Sequence, residues 1–329
     1  MPCFSPLRGY RDAETGAWKS RAEGCDANME VACGSCLGCR LDRARMWAIR
    51  IVHEASLHES VNGNSFVTLT YRNPHECSIE QLEKGFHIPE DWSLHKKHFQ
   101  DFMKRLRKRF PQKLRYFMCG EYGATCRHGI DLNDHECVFC NVGRPHYHAI
   151  IFNCTFPDLE KYTQVKGEDR YTSPMLESVW KYGFVDVGEV NLTSAAYVAR
   201  YALKKITGVQ ADDWYLDREN GDYKAPEFSL MSRGGKGGKG IAYEWFQKYK
   251  NDVFPRDAVP VQDGEPIRGI PRYYEELFKE ENALSMEEIK ERRQEFLAEH
   301  AEEYTPERLM SRYKCTKARL ELFQKRNAL

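Results

Sequence analysis

No stretch of eighteen consecutive apolar residues occurs in this 329-residue chain, so it lacks the run that a transmembrane helix needs. Its first residues also lack the charged-then-apolar order of a secretory signal, and a soluble, unexported protein without membrane partners is expected. Net charge is missing as well. The 49 basic residues balance 49 acidic ones, so nucleic-acid binding has to be argued from local clustering. Nor is there a Walker A loop. The glycine-rich stretch 232–240 has Arg233 where the first glycine belongs, and Lys239 is followed by Gly240 instead of serine or threonine. That stretch reads as a flexible basic loop able to touch a DNA backbone.

Cysteine is plentiful, with 12 residues. Without an export signal, close cysteine spacings indicate metal ligands or reduced thiols, not a disulfide framework. Cys33-x-x-Cys36-x-x-Cys39 can converge on one ion, with Cys3 or Cys25 as a fourth sulfur. Zinc is the expected metal, because no Cys-Pro follows as it does in an iron–sulfur run. A second group, Cys126, His128, His135, Cys137 and Cys140, has zinc-knuckle spacing. Free thiols are the alternative at both places.

Residues 1–31 show little periodicity and read as an irregular arm, followed by a helix over 41–58. Residues 65–71 read as a strand with Phe66, Thr68 and Thr70 on one face. Residues 94–115 form an amphipathic helix with Phe99, Phe102, Met103 and Leu106 on its apolar stripe. Its cations, among them Lys104, Arg105, Arg107 and Lys108, are opposed only by Asp101, which favours a phosphate-contacting surface over a merely solvated face. A strand over 114–119 closes on Gly120-Glu121-Tyr122-Gly123. The polar run 153–175, a short helix over 176–182, a strand over 184–190 and a helix over 195–205 capped by Thr193 or Ser194 come next. A loop-rich stretch, 209–240, follows. The expected organisation is an arm and helix over 1–60, a central domain over 61–250 and a helical extension over 251–329.

Gly143-Arg144-Pro145-His146-Tyr147-His148-Ala149-Ile150-Ile151-Phe152 reads as another strand, rich in β-branched and aromatic residues. Residues two apart share a face, so His146 and His148 project together and make half of a metal site. An edge-strand pair of solvated histidines is the plain alternative. Glu121 offers the hard oxygen that completes a two-histidine, one-carboxylate site with open positions. Tyr197 and Tyr201 lie four apart on one helix face, beside Arg200 and Lys204. A tyrosine hydroxyl, with an ordinary pKa of about 10, attacks a phosphodiester only when a metal and nearby cations lower the barrier. The product is a phosphotyrosine on one DNA end and a free 3′-hydroxyl on the other.

Four stretches taken together resemble the motifs of the HUH endonucleases, in that family's order. They are Phe66-Val67-Thr68-Leu69-Thr70-Tyr71, Gly120-Glu121-Tyr122-Gly123, Gly143-Arg144-Pro145-His146-Tyr147-His148 and residues 197–205. The likeness is narrower to the rolling-circle initiators of small single-stranded DNA phages, the gokushovirus type of microvirus, and spans roughly 1–250. It implies an α+β fold with a mostly antiparallel sheet and flanking helices, similar to the ferredoxin-like or RNA-recognition arrangement, here with a C-terminal helical extension. It also implies a nickase and strand transferase in the host bacterial cytoplasm that uses Mg2+ or Mn2+ and acts on single-stranded or supercoiled phage origin DNA. By motif match His146, His148 and Glu121 hold the metal, and Tyr197 and Tyr201 attack in turn. Strand separation falls to a host helicase. A relaxase or transposase of the same class, or a zinc-bearing nucleic-acid-binding protein without catalysis, are the competing readings.

Overall fold

The computed structural model describes residues 3–12, 14–15, 17–20, 29–123, 143–165, 167–201, 211, 214–216, 221, 223–233, 239–261 and 265–328. In chain order these form β1 (Leu7–Arg11), β2 (Trp18–Ser20), β3 (Met29–Val31), α1 (Leu37–Ser56), β4 (Asn64–Thr70), α2 (Ile79–Glu83), α3 (Lys96–Arg109), β5 (Arg115–Tyr122) and β6 (Pro145–Phe152). Next are β7 (Glu160–Val165), β8 (Glu168–Thr172), α4 (Pro174–Trp180), β9 (Val185–Gly188), α5 (Leu192–Tyr201), β10 (Phe228–Met231) and α6 (Tyr243–Arg256). The chain ends with β11 (Ala258–Val259), β12 (Ile267–Arg268), α7 (Arg272–Glu281), α8 (Ala283–Glu299) and α9 (Pro306–Ala328). The α+β class and the C-terminal helices are as expected.

Two compact units result. One comprises Met1–Met46 and Arg272–Leu329, the other Trp47–Pro271. In the first, β2, β1 and β3 form a small antiparallel sheet, which corrects the irregular arm expected over 1–31. Hydrogen-bond pairing builds this sheet without an alternating apolar face. At Gly9 the β2 backbone passes so close that a Cβ would clash with Lys19 O. Arg293 of α8 joins Glu275 of α7 at 2.6 Å.

The second unit is built on a seven-stranded sheet of order β10-β5-β6-β4-β9-β8-β7. Every neighbouring pair in it runs antiparallel. Three expectations change here. The β7–β8 hairpin lies inside the stretch read as polar coil, and β10 inside the stretch read as loop. β7 is exposed along its whole length, so it shows no two-residue alternation to read. β5 does not close at Gly120 but runs through Glu121 to Tyr122, because both pair with β6.

β6 is buried nearly end to end, as a central strand covered on both faces must be. One face carries Tyr147, Ala149 and Ile151. They join Val67, Leu69 and Met118 beneath Phe99, Phe102, Met103 and Leu106 of α3 and Leu176, Val179 and Trp180 of α4. Tyr147 fixes the strand there by donating to His95 O at 3.0 Å. The opposite face holds His146 and His148 and is covered by α5, which lies against β5 and β6. Asn191 and Ser194 cap α5 reciprocally, so the N-cap is Asn191 and not Thr193 or Ser194.

His53 of α1 is stacked on Trp245 of α6 with ring centroids 3.4 Å apart, and its Nε2 donates to Pro260 O at 2.8 Å. Burial pushes its pKa down to about 4. The unfolded ring, at an ordinary 6.5, therefore binds more protons than the native one between about pH 6.5 and 4. The contribution is complete above that window and is lost as pH falls through it. Between pH 7 and pH 5 the parent should lose about 2 kcal/mol more stability than a His53→Gln variant. Urea midpoints at the two pH values check this, and equal pH dependence of parent and variant contradicts it.

Candidate active site

Strand register assembles the cluster. Glu121 of β5 and Thr70 of β4 lie opposite His146, while Cys119 and Thr68 lie opposite His148. Alternation then puts Glu121, His146, His148 and Thr68 on the α5 side. Glu121 Oε1 is 2.7 Å from His146 Nε2 and 3.1 Å from His148 Nε2. The ligand atoms of the three residues all lie within 4.8 Å of one another. Glu121 is 3% exposed and His148 6%.

The far side of each ring sets its tautomer. His146 Nδ1 is 3.1 Å from Arg144 O, and a carbonyl only accepts, so Nδ1 carries the hydrogen. The Thr68 hydroxyl hydrogen-bonds Asp186 of β9, which leaves its oxygen to accept from His148 Nδ1 at 3.0 Å. With a hydrogen on each Nδ1, a ring carrying no second proton turns its Nε2 lone pair toward a carboxylate oxygen. Acceptor faces acceptor. A proton on the rings or a shared cation relieves that contact, and two imidazoles with one carboxylate are a fit donor set for a divalent ion. Burial alone pushes the Glu121 carboxyl up, but once the rings are protonated the hydrogen bonds from His146 and His148 and their charge outweigh it and hold the group at about 2.

Tyr197 reaches the same place from α5. Its hydroxyl is 3.5 Å from His148 Nε2, and its ring meets His148 and Phe66 edge-on at 5.1 and 6.1 Å. Tyr201 ends α5 one turn further on. Arg200 donates to Ala196 O of its own helix at 3.2 Å. Lys204 lies outside the described residues, as do Cys126, His128, His135, Cys137 and Cys140. Cys3, Cys33, Cys36 and Cys39 converge in the other unit.

The basic helix is not part of this cluster. α3 packs on the opposite face of the sheet. Arg105 caps α4 by donating to Val179 O at 2.7 Å and Trp180 O at 3.2 Å, while Lys104 pairs with Asp101 at 3.1 Å. Arg107 and Lys108 are exposed.

A family model described as Replication-associated protein ORF2/G2P matches residues 64–130 and 135–206, which include every residue of the cluster. The chain is 31% identical over 280 residues to replication-associated protein ORF2 of Spiroplasma virus 4, covering 81% of this chain and 74% of that protein. It is also 31% identical over 284 residues to replication-associated protein VP4 of Bdellovibrio phage phiMH2K, covering 85% and 78%. The chain belongs to the phage replication-associated protein family. A third relative in it, ORF4 of Chlamydia phage 1, is 31% identical over 192 residues, 55% of this chain and 40% of that protein. No solved structure matches.

Two site residues of this replication-associated protein escape sequence reading. Thr68 is visible only as a strand residue on the right face, and Asp186 only as a lone acid between Val185 and Val187. Register alone sets Asp186 opposite Thr68. Burial pushes the Asp186 carboxyl up, against the opposing charge of Arg170 and a hydrogen bond from Tyr162 at 3.1 Å.

Proposed function

We propose that this protein initiates rolling-circle replication of a small phage genome by nicking single-stranded origin DNA with a tyrosine, as an HUH endonuclease. The observation that supports it most is the Tyr197 hydroxyl standing 3.5 Å from His148 Nε2, beside a two-histidine, one-carboxylate cluster. Glu121, His146 and His148 would hold Mg2+ or Mn2+, which when bound draws charge from a phosphodiester oxygen and makes phosphorus electrophilic.

The Tyr197 hydroxyl oxygen attacks that phosphorus. A Tyr–O–P bond forms and the P–O3′ bond breaks, the phenolic proton is released and the departing 3′ oxygen takes one up. One strand end is left as a 5′-phosphotyrosine and the other as a free 3′-hydroxyl. The phosphodiester bond energy is retained, so a 3′-hydroxyl can reverse the step without ATP. Tyr201 is assigned the second transfer, which releases a circle. Arg200 and Lys204 offset charge on the phosphate. Lys104, Arg107 and Lys108 contact DNA backbone away from the cleavage point, a host helicase separates the strands, and the reaction takes place in the host cytoplasm.

The test uses single-stranded oligonucleotides tiling the genome that encodes the chain. With Mn2+, one of them should give a detergent-stable protein–DNA adduct and a fragment ending in 3′-hydroxyl. Binding to the tiles without any adduct is the result expected of a non-catalytic DNA-binding protein.

Thr68 provides a finer check. Thr68→Val keeps the shape but removes the acceptor that orients His148, so Mn2+ affinity should weaken about 10–100-fold. Titration calorimetry reads the change, and an unaltered affinity contradicts the orienting role.

A further inference from the structure

Cys3, Cys33, Cys36 and Cys39 meet in the unit that does not contain the active-site cluster. We propose that these four cysteines bind one structural Zn2+ that fastens the N-terminal segment to the start of α1.

The sulfur spacing carries the argument. Cys3 Sγ lies 3.6 Å from Cys33 Sγ and 3.8 Å from Cys36 Sγ, and Cys33 Sγ lies 4.0 Å from Cys39 Sγ. Four sulfurs at zinc–sulfur bond length, about 2.3 Å, occupy the corners of a tetrahedron with edges of about 3.8 Å. A disulfide would draw two of them to about 2.05 Å. An iron–sulfur cluster distributes its four cysteines over two or four irons, so they do not all share one tetrahedral centre.

Backbone donors supply a second, independent observation. Phe4 N donates to Cys36 Sγ, Cys33 N to Cys3 Sγ and Cys36 N to Cys33 Sγ, each at 3.3 Å. N–H groups aimed at sulfur favour the thiolate, which is the ligating form. Gly34 makes the turn that aims them, at φ +75°, and Arg43 pins it by donating to Gly34 O at 2.9 Å.

Metal binding here has a structural consequence. Cys3 precedes Phe4, whose ring meets Tyr313 of α9 edge-on at 5.8 Å. Cys39 lies in the first turns of α1. One ion therefore ties together pieces of this unit that are far apart in sequence, and its binding energy becomes folding energy.

The experiment uses the full chain purified without chelator. Iodoacetamide labelling read peptide by peptide should find these four cysteines protected, and labelled at least about tenfold faster once a zinc chelator is added. Elemental analysis should show the Cys33→Ser/Cys36→Ser variant carrying one zinc fewer than the parent. A Cys126→Ser/Cys137→Ser/Cys140→Ser variant should keep that zinc. Labelling rates indifferent to chelator, stoichiometric iron in place of zinc, or equal zinc in parent and Cys33→Ser/Cys36→Ser variant overturns the proposal. Labelling is done on the parent, so the test stands even if the serine variant fails to fold.

Discussion

Replacing Tyr197 and Tyr201 together by phenylalanine should abolish the proposed covalent adduct and lower origin nicking by about a thousandfold or more, as loss of a covalent nucleophile does elsewhere. The fold should survive. Phenylalanine keeps the edge-on ring contacts that Tyr197 makes with His148 and Phe66, and loses only the hydroxyl. The single variants separate the two roles. A protein with one tyrosine left can cleave once but cannot complete the exchange that frees a circle. The check is a denaturing gel for adduct and fragment, with circular dichroism to confirm folding. Nicking by the double variant at parental rate would mean that Tyr197 is only packing under α5.

Removing the proposed metal ligands should have the second large effect. His146→Gln with His148→Gln takes away two of the three donors, and the charge withdrawal they make available is worth several kcal/mol, or about a thousandfold in rate. The parent should respond to Mn2+ at lower concentration than to Mg2+, since imidazole donors favour the later metal. Residual activity in the variant should no longer respond to either ion. Metal-concentration profiles of nicking rate check this prediction, and identical profiles for parent and variant contradict it.

How far the sequence reached depended on whether a feature is local. His146 and His148 share a face because of the two-residue period of a strand, and no knowledge of its neighbours is needed. The apolar stripe of α3 is legible for the same reason. Glu121 is different, because only the pairing of β5 with β6 sets it opposite His146. Its chemistry, a hard oxygen at the end of a neighbouring strand, and a resemblance to known motifs supplied it in place of geometry. Asp186 and Thr68 had no such help, and their link to His148 runs across three strands whose register no single stretch encodes.

The misread stretches have a related cause. β7 is exposed throughout and has no buried face to impose alternation, while β1, β2 and β3 are short strands held by backbone pairing. Arg105 counted as one of many cations on a helix, and only the structure shows its guanidinium spent on the C-terminal carbonyls of α4. Charge on a helix says where the cations are. It does not say which of them the fold has already used.

The most direct test of the account is tandem mass spectrometry of the adduct formed by the parent with its single-stranded origin DNA. Digested by protease and nuclease, the adduct should yield a peptide from α5 carrying a 5′-linked nucleotide on the oxygen of Tyr197 or Tyr201. A nucleotide linked to any other residue, or nicked DNA with no linked peptide, would contradict the assignment of α5 as the nucleophile-bearing helix.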